Sequence, residues 1–120
     1  MMDKHPYEVI FYETSFGRCP TDDFLDTLQP KIGAKIAKWI EKLEEHGPNL
    51  PRPYADIVSG KIRELRIVFG SNHYRLLYFF VGKTIIITHG FVKKTNAVPV
   101  NELKTAERYM NEFYNQHQEE

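Results

Sequence analysis

Arg66, Arg75, Lys93 and Lys94 are the side chains of this sequence whose type and spacing could act together. All four are cations, and guanidinium and ammonium groups gathered on one surface bind anions, above all the phosphates of a nucleic acid. The two arginines fall on consecutive strand-like stretches, "KIRELRIVF" and "HYRLLYFFV", joined by "GSN". A two- or four-residue loop opposes residues 66 and 77 and residues 68 and 75, making the arginines diagonal neighbours on one face, roughly 7 Å apart. A three-residue loop puts them on opposite faces. In the first register Leu65, Ile67, Tyr74, Leu76 and Tyr78 take the other face, an apolar set fit to receive helices. Lys93 and Lys94 end the next strand, "KTIIITHGFV", where they overhang the arginine-bearing face or, taken alone, protect a sheet edge. His89 stands beside Arg75 for one length of the loop around Gly82 and behind the sheet for another. Glu64, flanked by Arg63 and Arg66, reads as an ion-pair partner before it reads as a general base.

The charge distribution supports a cationic surface. The net charge is zero, yet residues 61–94 hold seven basic side chains against one acidic, while residues 1–60 hold seven against ten and residues 95–120 two against five. The excess is confined to the strand-rich middle of the chain, and pairing with the flanking acids is the plainer alternative.

The elements that must position these cations follow from periodicity. "PYEVIFYET" predicts a first strand buried in part on both faces. "CPTDDFLDTL" puts proline and acids in a first helical turn, and Gln29 with Pro30 interrupts it before a longer helix. There Ile32, Ile36, Trp39, Ile40 and Leu43 form one stripe, lysines fill the other side, and Gly47 and Pro48 stop the helix. "GPNLPRP" predicts an extended, non-helical connection across the surface. Three strands in hairpin order follow, and Leu103, Ala106, Met110 and Phe113 repeat at helical spacing after Pro99. The predicted order is β-α-α-β-β-β-α, an α+β domain with helices on one face of a mainly antiparallel sheet.

With 120 residues, 42% of them hydrophobic, the chain is expected to form one domain over residues 1–116, with 117–120 a frayed tail and Asn115 onward too polar to be held down. One cysteine excludes an internal disulfide, no signal-peptide pattern opens the chain and no apolar run spans a bilayer, so a cytoplasmic protein is expected. The histidines lack HxxxH or HxH spacing, so no metal or other cofactor is implied. No glycine-rich phosphate loop and no GxSxG stretch occurs.

"GKIRELR", "HYRLLYFF" and "HGFVKKTNAVP", taken in order with the "FL" near residue 24 and the "LP.P" near residue 50, resemble the RelE/ParE toxin superfamily, most closely its phage-derived HigB-like branch. The resemblance covers Phe24 to about Ala106 and implies a compact RelE-like fold. It also implies the toxin of a type II toxin-antitoxin pair, usually a metal-independent endonuclease that cuts mRNA in the ribosomal A site. RNA is cut when its own 2′-OH attacks the adjacent phosphate, so the enzyme need only take that proton, neutralise the phosphorane and protonate the leaving 5′ oxygen. By the same resemblance Arg66 and Arg75 match phosphate-contacting strand arginines, Lys93 or Lys94 the basic position closing the last strand, and Lys61 and Arg63 RNA-docking charges. Some relatives carry a catalytic tyrosine at the start of the last helix, where this chain has "AVPVN". The proton role then passes to His89, whose ordinary pKa is near 6.5, to a lysine, or to the ribosome and substrate. The implied partners are the ribosome with its mRNA and a small helix-turn-helix antitoxin. A ParE-like gyrase inhibitor and a nucleic-acid-binding module without activity are the competing expectations.

Overall fold

A computed structural model describes residues 5–94 and 97–117. Five strands and three helices follow in order: β1 (Glu8–Phe11), α1 (Pro20–Asp26), α2 (Pro30–His46), β2 (Ala55–Ser59), β3 (Ile62–Phe69), β4 (Asn72–Val81), β5 (Thr84–Lys93) and α3 (Val100–Gln116). They build one sheet of order β1-β5-β4-β3-β2. Only β1 runs parallel to its neighbour; the other pairings are antiparallel. The α+β class and the mainly antiparallel sheet are as predicted. No helix among the described residues is long and apolar enough to cross a membrane.

Four details differ from the sequence reading. The chain after α2 is not wholly extended, because Gly47–Asn49 form a 3₁₀ turn. A further strand, β2, pairs with β3 where no strand was expected. The last helix continues through Asn115 and Gln116, the latter donating from its side chain to Glu13 O at 3.3 Å; the rest of the expected tail, 118–120, lies outside the described residues. Finally, the helices cover both faces of the sheet. α1 and α2 pack on Leu65, Ile67, Leu76, Tyr78, Ile85 and Ile87. α3 packs on Leu77, Phe79, Ile86 and Phe91 of the opposite face. The cause is visible in "YRLLYFFV": β4 is apolar on both sides, so each side must be removed from water.

Two glycines set the geometry around the cations. Gly70, at φ 63°, and Ser71 alone connect the paired residues Phe69 and Asn72, a two-residue hairpin loop whose first position favours glycine. Gly90 lies beneath α1, where a Cβ would overlap the Phe24 ring and a Leu76 methyl. Gly90→Ala is therefore expected to lower stability by about 1–3 kcal/mol through overpacking, measured as a reduced midpoint at unchanged slope in urea unfolding.

Candidate functional site

The hairpin register brings Arg66 and Arg75 directly opposite each other across β3 and β4. The sequence reading had them diagonal; the loop is two residues centred one position earlier, which shifts the pairing by two and preserves the face. Like charges so placed repel. Glu64, on the same face of β3, resolves the conflict. One of its oxygens, Oε1, lies 2.9 Å from Arg75 Nε, and the other, Oε2, accepts from Arg66 Nη2 at 3.0 Å. The Arg75 contact is an ion pair whose N–H is not well aimed at the oxygen. Glu64 is only 4% exposed and Arg75 only 6%, so the carboxylate is a buried strut between two guanidinium groups. Asp56 on β2 extends the network, its Oδ2 accepting from Arg66 Nη2 at 3.3 Å and standing 3.0 Å from Arg52 Nε. Burial opposes ionisation of Asp56, but the Ile57 amide, Arg52 and Arg66 outweigh it and hold its carboxyl below the usual range.

A β-bulge decides where the lysines point. Tyr78 pairs with Ile87 and Leu77 with His89, so Thr88 is an extra residue in β5. In a regular ladder Lys93 would share the α1/α2 face with Ile85 and Ile87. The extra residue reverses the alternation, and His89, Phe91 and Lys93 join Leu77, Arg75 and His73 on the α3 face. Lys93 thereby enters the cleft of the arginines. That cleft has a volume of about 640 Å³ and is walled by Arg66, Asn72, His73, Arg75, Lys93 and Lys94. Burial pushes the Arg75 guanidinium below its ordinary value, Glu64 opposing and Arg66 assisting. Burial also lowers Lys93, followed by the Arg75 charge, with Glu64 resisting and Arg66 adding a smaller push. An ammonium held among guanidinium groups releases its proton more easily than a solvated one and, when charged, adds to a field that attracts anions.

His89 is not in this cleft. It borders a separate depression with Tyr109 and Asp23, nearly buried, and both ring nitrogens are engaged. Nε2 lies 2.9 Å from Glu102 Oε1 on α3, and Nδ1 lies 3.1 Å from the Thr88 hydroxyl. With a neutral ring Nε2–H donates to Glu102 and Thr88 donates to Nδ1; on protonation the hydroxyl can turn to Leu77 O, 3.1 Å away. The residue ties β5 to α3. Burial lowers its pKa from 6.5, Glu102 opposing through hydrogen bond and charge and Arg108 adding a smaller push down. The folded ring thus binds a proton more weakly than the unfolded one. The stabilising effect of this preference is complete above pH 6.5 and is lost as pH falls below it. His89→Gln is expected to flatten the dependence of unfolding free energy on pH below 6.5, a slope of at most ~1.4 kcal/mol per pH unit for one group.

Lys61 and Arg63 also stand apart from the arginines. They border a shallow depression of their own, Lys61 Nζ 5.7 Å from the Tyr114 ring centroid and the Arg63 guanidinium 5.1 Å from that of Phe80. Arg63 opposes Tyr78 and so faces away from Arg66. The cleft in turn contains two side chains that the sequence reading passed over, Asn72 and His73; their signal was adjacency to the hairpin loop that aligns the arginines. Among the described residues no three His, Cys, Asp or Glu side chains are placed to hold a metal ion.

A family model described as phage derived protein Gp49-like (DUF891) matches residues 23–111, which include the end of α1, all of α2, strands β2 to β5 and most of α3. No curated protein matches the chain.

Proposed function

Because the chain belongs to the phage-derived Gp49-like family, which is associated with RelE- and toxin-like proteins, we propose that it is the toxin of a type II toxin-antitoxin pair and acts as a metal-independent, ribosome-dependent mRNA endonuclease. The observation that carries this reading is the directly opposed arginine pair held by a buried carboxylate in an open cleft that Lys93 also enters.

Such a cleft suits a phosphodiester about to be cut. Its guanidinium groups are oriented before substrate arrives, so they can stabilise charge that grows on the non-bridging oxygens without reorganising. Arg66 is the more open of the two and suits direct contact with a phosphate, whereas Arg75, almost buried, strengthens the field from behind. Lys93 takes the proton of the 2′-OH as its oxygen attacks phosphorus. The P–O5′ bond breaks, the 5′ oxygen gains a proton, and a 2′,3′-cyclic phosphate is left. His73, exposed at the same cleft, is placed to supply that second proton. His89, tied to Glu102 and Thr88, has a structural role in this scheme.

The antitoxin in this reading is a small helix-turn-helix protein that offers carboxylates or bulk to the cationic cleft. Cleavage mapping on mRNA with and without ribosomes tests the proposal. Cuts at codon spacing that require ribosomes are expected. Early arrest of DNA synthesis with intact mRNA would instead identify a gyrase-directed toxin, and salt-sensitive binding without any cut a passive nucleic-acid binder.

A further inference from the structure

A second cleft adjoins the first. It has a volume of about 320 Å³ and shares Arg66, His73 and Arg75 with its neighbour, but its remaining wall is largely apolar and is built by Trp39, Pro53 and Tyr54. Trp39 of α2 and Tyr54, just ahead of β2, stack with ring centroids 4.7 Å apart and planes 22° from parallel. Tyr54 remains 42% exposed although it is one of the larger apolar groups of the chain. Its position is coupled to the cations, since the Arg66 amide donates to Tyr54 O at 2.8 Å. Lys35 adds a charge at the same wall, held by its bond to Val68 O and lying over the Phe69 ring at 5.8 Å.

A cation-lined cleft that shares a wall with an aromatic one fits a ligand that is anionic at one end and planar and apolar at the other. A nucleotide unit of a single strand has both ends, and its base can stack whatever its identity. We propose that the Trp39–Tyr54 wall is a nucleobase subsite, in which a base of single-stranded RNA stacks against Tyr54 while its adjoining phosphate lies among Arg66, Arg75 and Lys93. This rests on the nuclease reading above. The subsite fixes which nucleotide of the strand lies next to the reacting phosphate and so contributes to where the strand is cut.

Trp39 is the sole tryptophan of the chain and reports on the stack directly. Two short fluorescent oligonucleotides with equal numbers of phosphates, one carrying bases and one abasic, are titrated at low salt against the wild-type chain, Tyr54→Leu and Tyr54→Phe. Anisotropy reads binding and Trp39 emission reads stacking. The expected result is about 5- to 150-fold tighter binding of the base-bearing strand, with a change in Trp39 emission that the abasic strand does not cause. Tyr54→Phe should keep both, and Tyr54→Leu should lose the discrimination while binding the abasic strand as before. Equal binding of both strands with unchanged emission overturns the subsite and leaves the phosphate cleft standing, as it does if the wall receives a side chain of a protein partner instead. Failure of either strand to bind overturns the phosphate cleft and the subsite together. The wild-type comparison decides even if Tyr54→Leu does not fold.

Discussion

Replacing Arg75 by alanine is expected to slow ribosome-dependent mRNA cleavage by about 10- to 100-fold and to relieve growth arrest, less than the ~10²–10³-fold of a donor bonded directly to a charge-developing oxygen because Arg75 acts from behind Arg66. The difficulty in reading such a variant is that Arg75 is also structural. Its guanidinium lies 2.9 Å from Glu64, and both are buried, so alanine leaves a carboxylate with Arg66 as its remaining close partner. Leaving a buried charged group short of a partner costs about 1–3 kcal/mol, enough to lower the melting temperature visibly. A second substitution separates the two effects. Glu64→Gln removes the charge that Arg75 was neutralising, so the double variant should recover stability relative to Arg75→Ala alone while cleavage stays at the low level. If stability and cleavage return together, Arg75 acts only by holding the sheet. Arg75→Lys adds a further check: it keeps the charge but lacks the planar fork, and is expected to fall well short of wild-type activity.

How much of this site could be read from the sequence depends on which geometric quantity each residue needed. The face shared by Arg66 and Arg75 needed only parity. A register error of two residues leaves parity intact, so the arginine face and the apolar set of Leu65, Ile67, Tyr74, Leu76 and Tyr78 were both legible. The side on which His89 and Lys93 stand needed the count of residues along β5, and the bulge at Thr88 changes that count by one. Nothing in "TIIITHGFVK" marks the bulge, since threonine fits an ordinary strand as well. The placement of α3 opposite α1 and α2 was in principle available, because Leu77 and Phe79 alternate with Leu76 and Tyr78 as a second apolar set. β2 was obscured by its prolines upstream and by its brevity. The role of Glu64 was read in kind, as an ion-pair partner, but its link to both arginines at once required the third dimension. The split of Arg63 from Arg66 had the same origin as the success with Arg75: odd and even positions of β3 face opposite sides, and a motif resemblance does not carry that distinction.

Lys93→Arg is expected to be nearly as damaging as loss of the side chain, which is an unusual outcome for a substitution that keeps a positive charge. The reason lies in what lowers the Lys93 pKa. Burial disfavours its ammonium, the Arg75 charge beside it adds to the effect, and Glu64 restores part of it. A larger fraction of Lys93 is thereby neutral at a given pH, and a neutral amine in the cleft can accept the 2′-OH proton. The sign of the pH dependence follows. Protonated Lys93 cannot act as the base, so single-turnover cleavage should have a limb that rises with pH up to the lowered pKa, while the acid that protonates the 5′ oxygen sets the falling limb. Arginine stays protonated throughout the accessible range, so Lys93→Arg should lose that rising limb and cleave about 10²–10⁴-fold more slowly, the span attributed to a general base. Lys94 is exposed at the rim, so Lys94→Ala should stay within about threefold of wild type at physiological salt, where exposed charges are screened. If Lys93→Arg instead cleaves at the wild-type rate with an unchanged pH profile, Lys93 contributes only charge. The assignment of the base to Lys93 then fails, and His73→Gln tests the neighbouring imidazole at the same cleft.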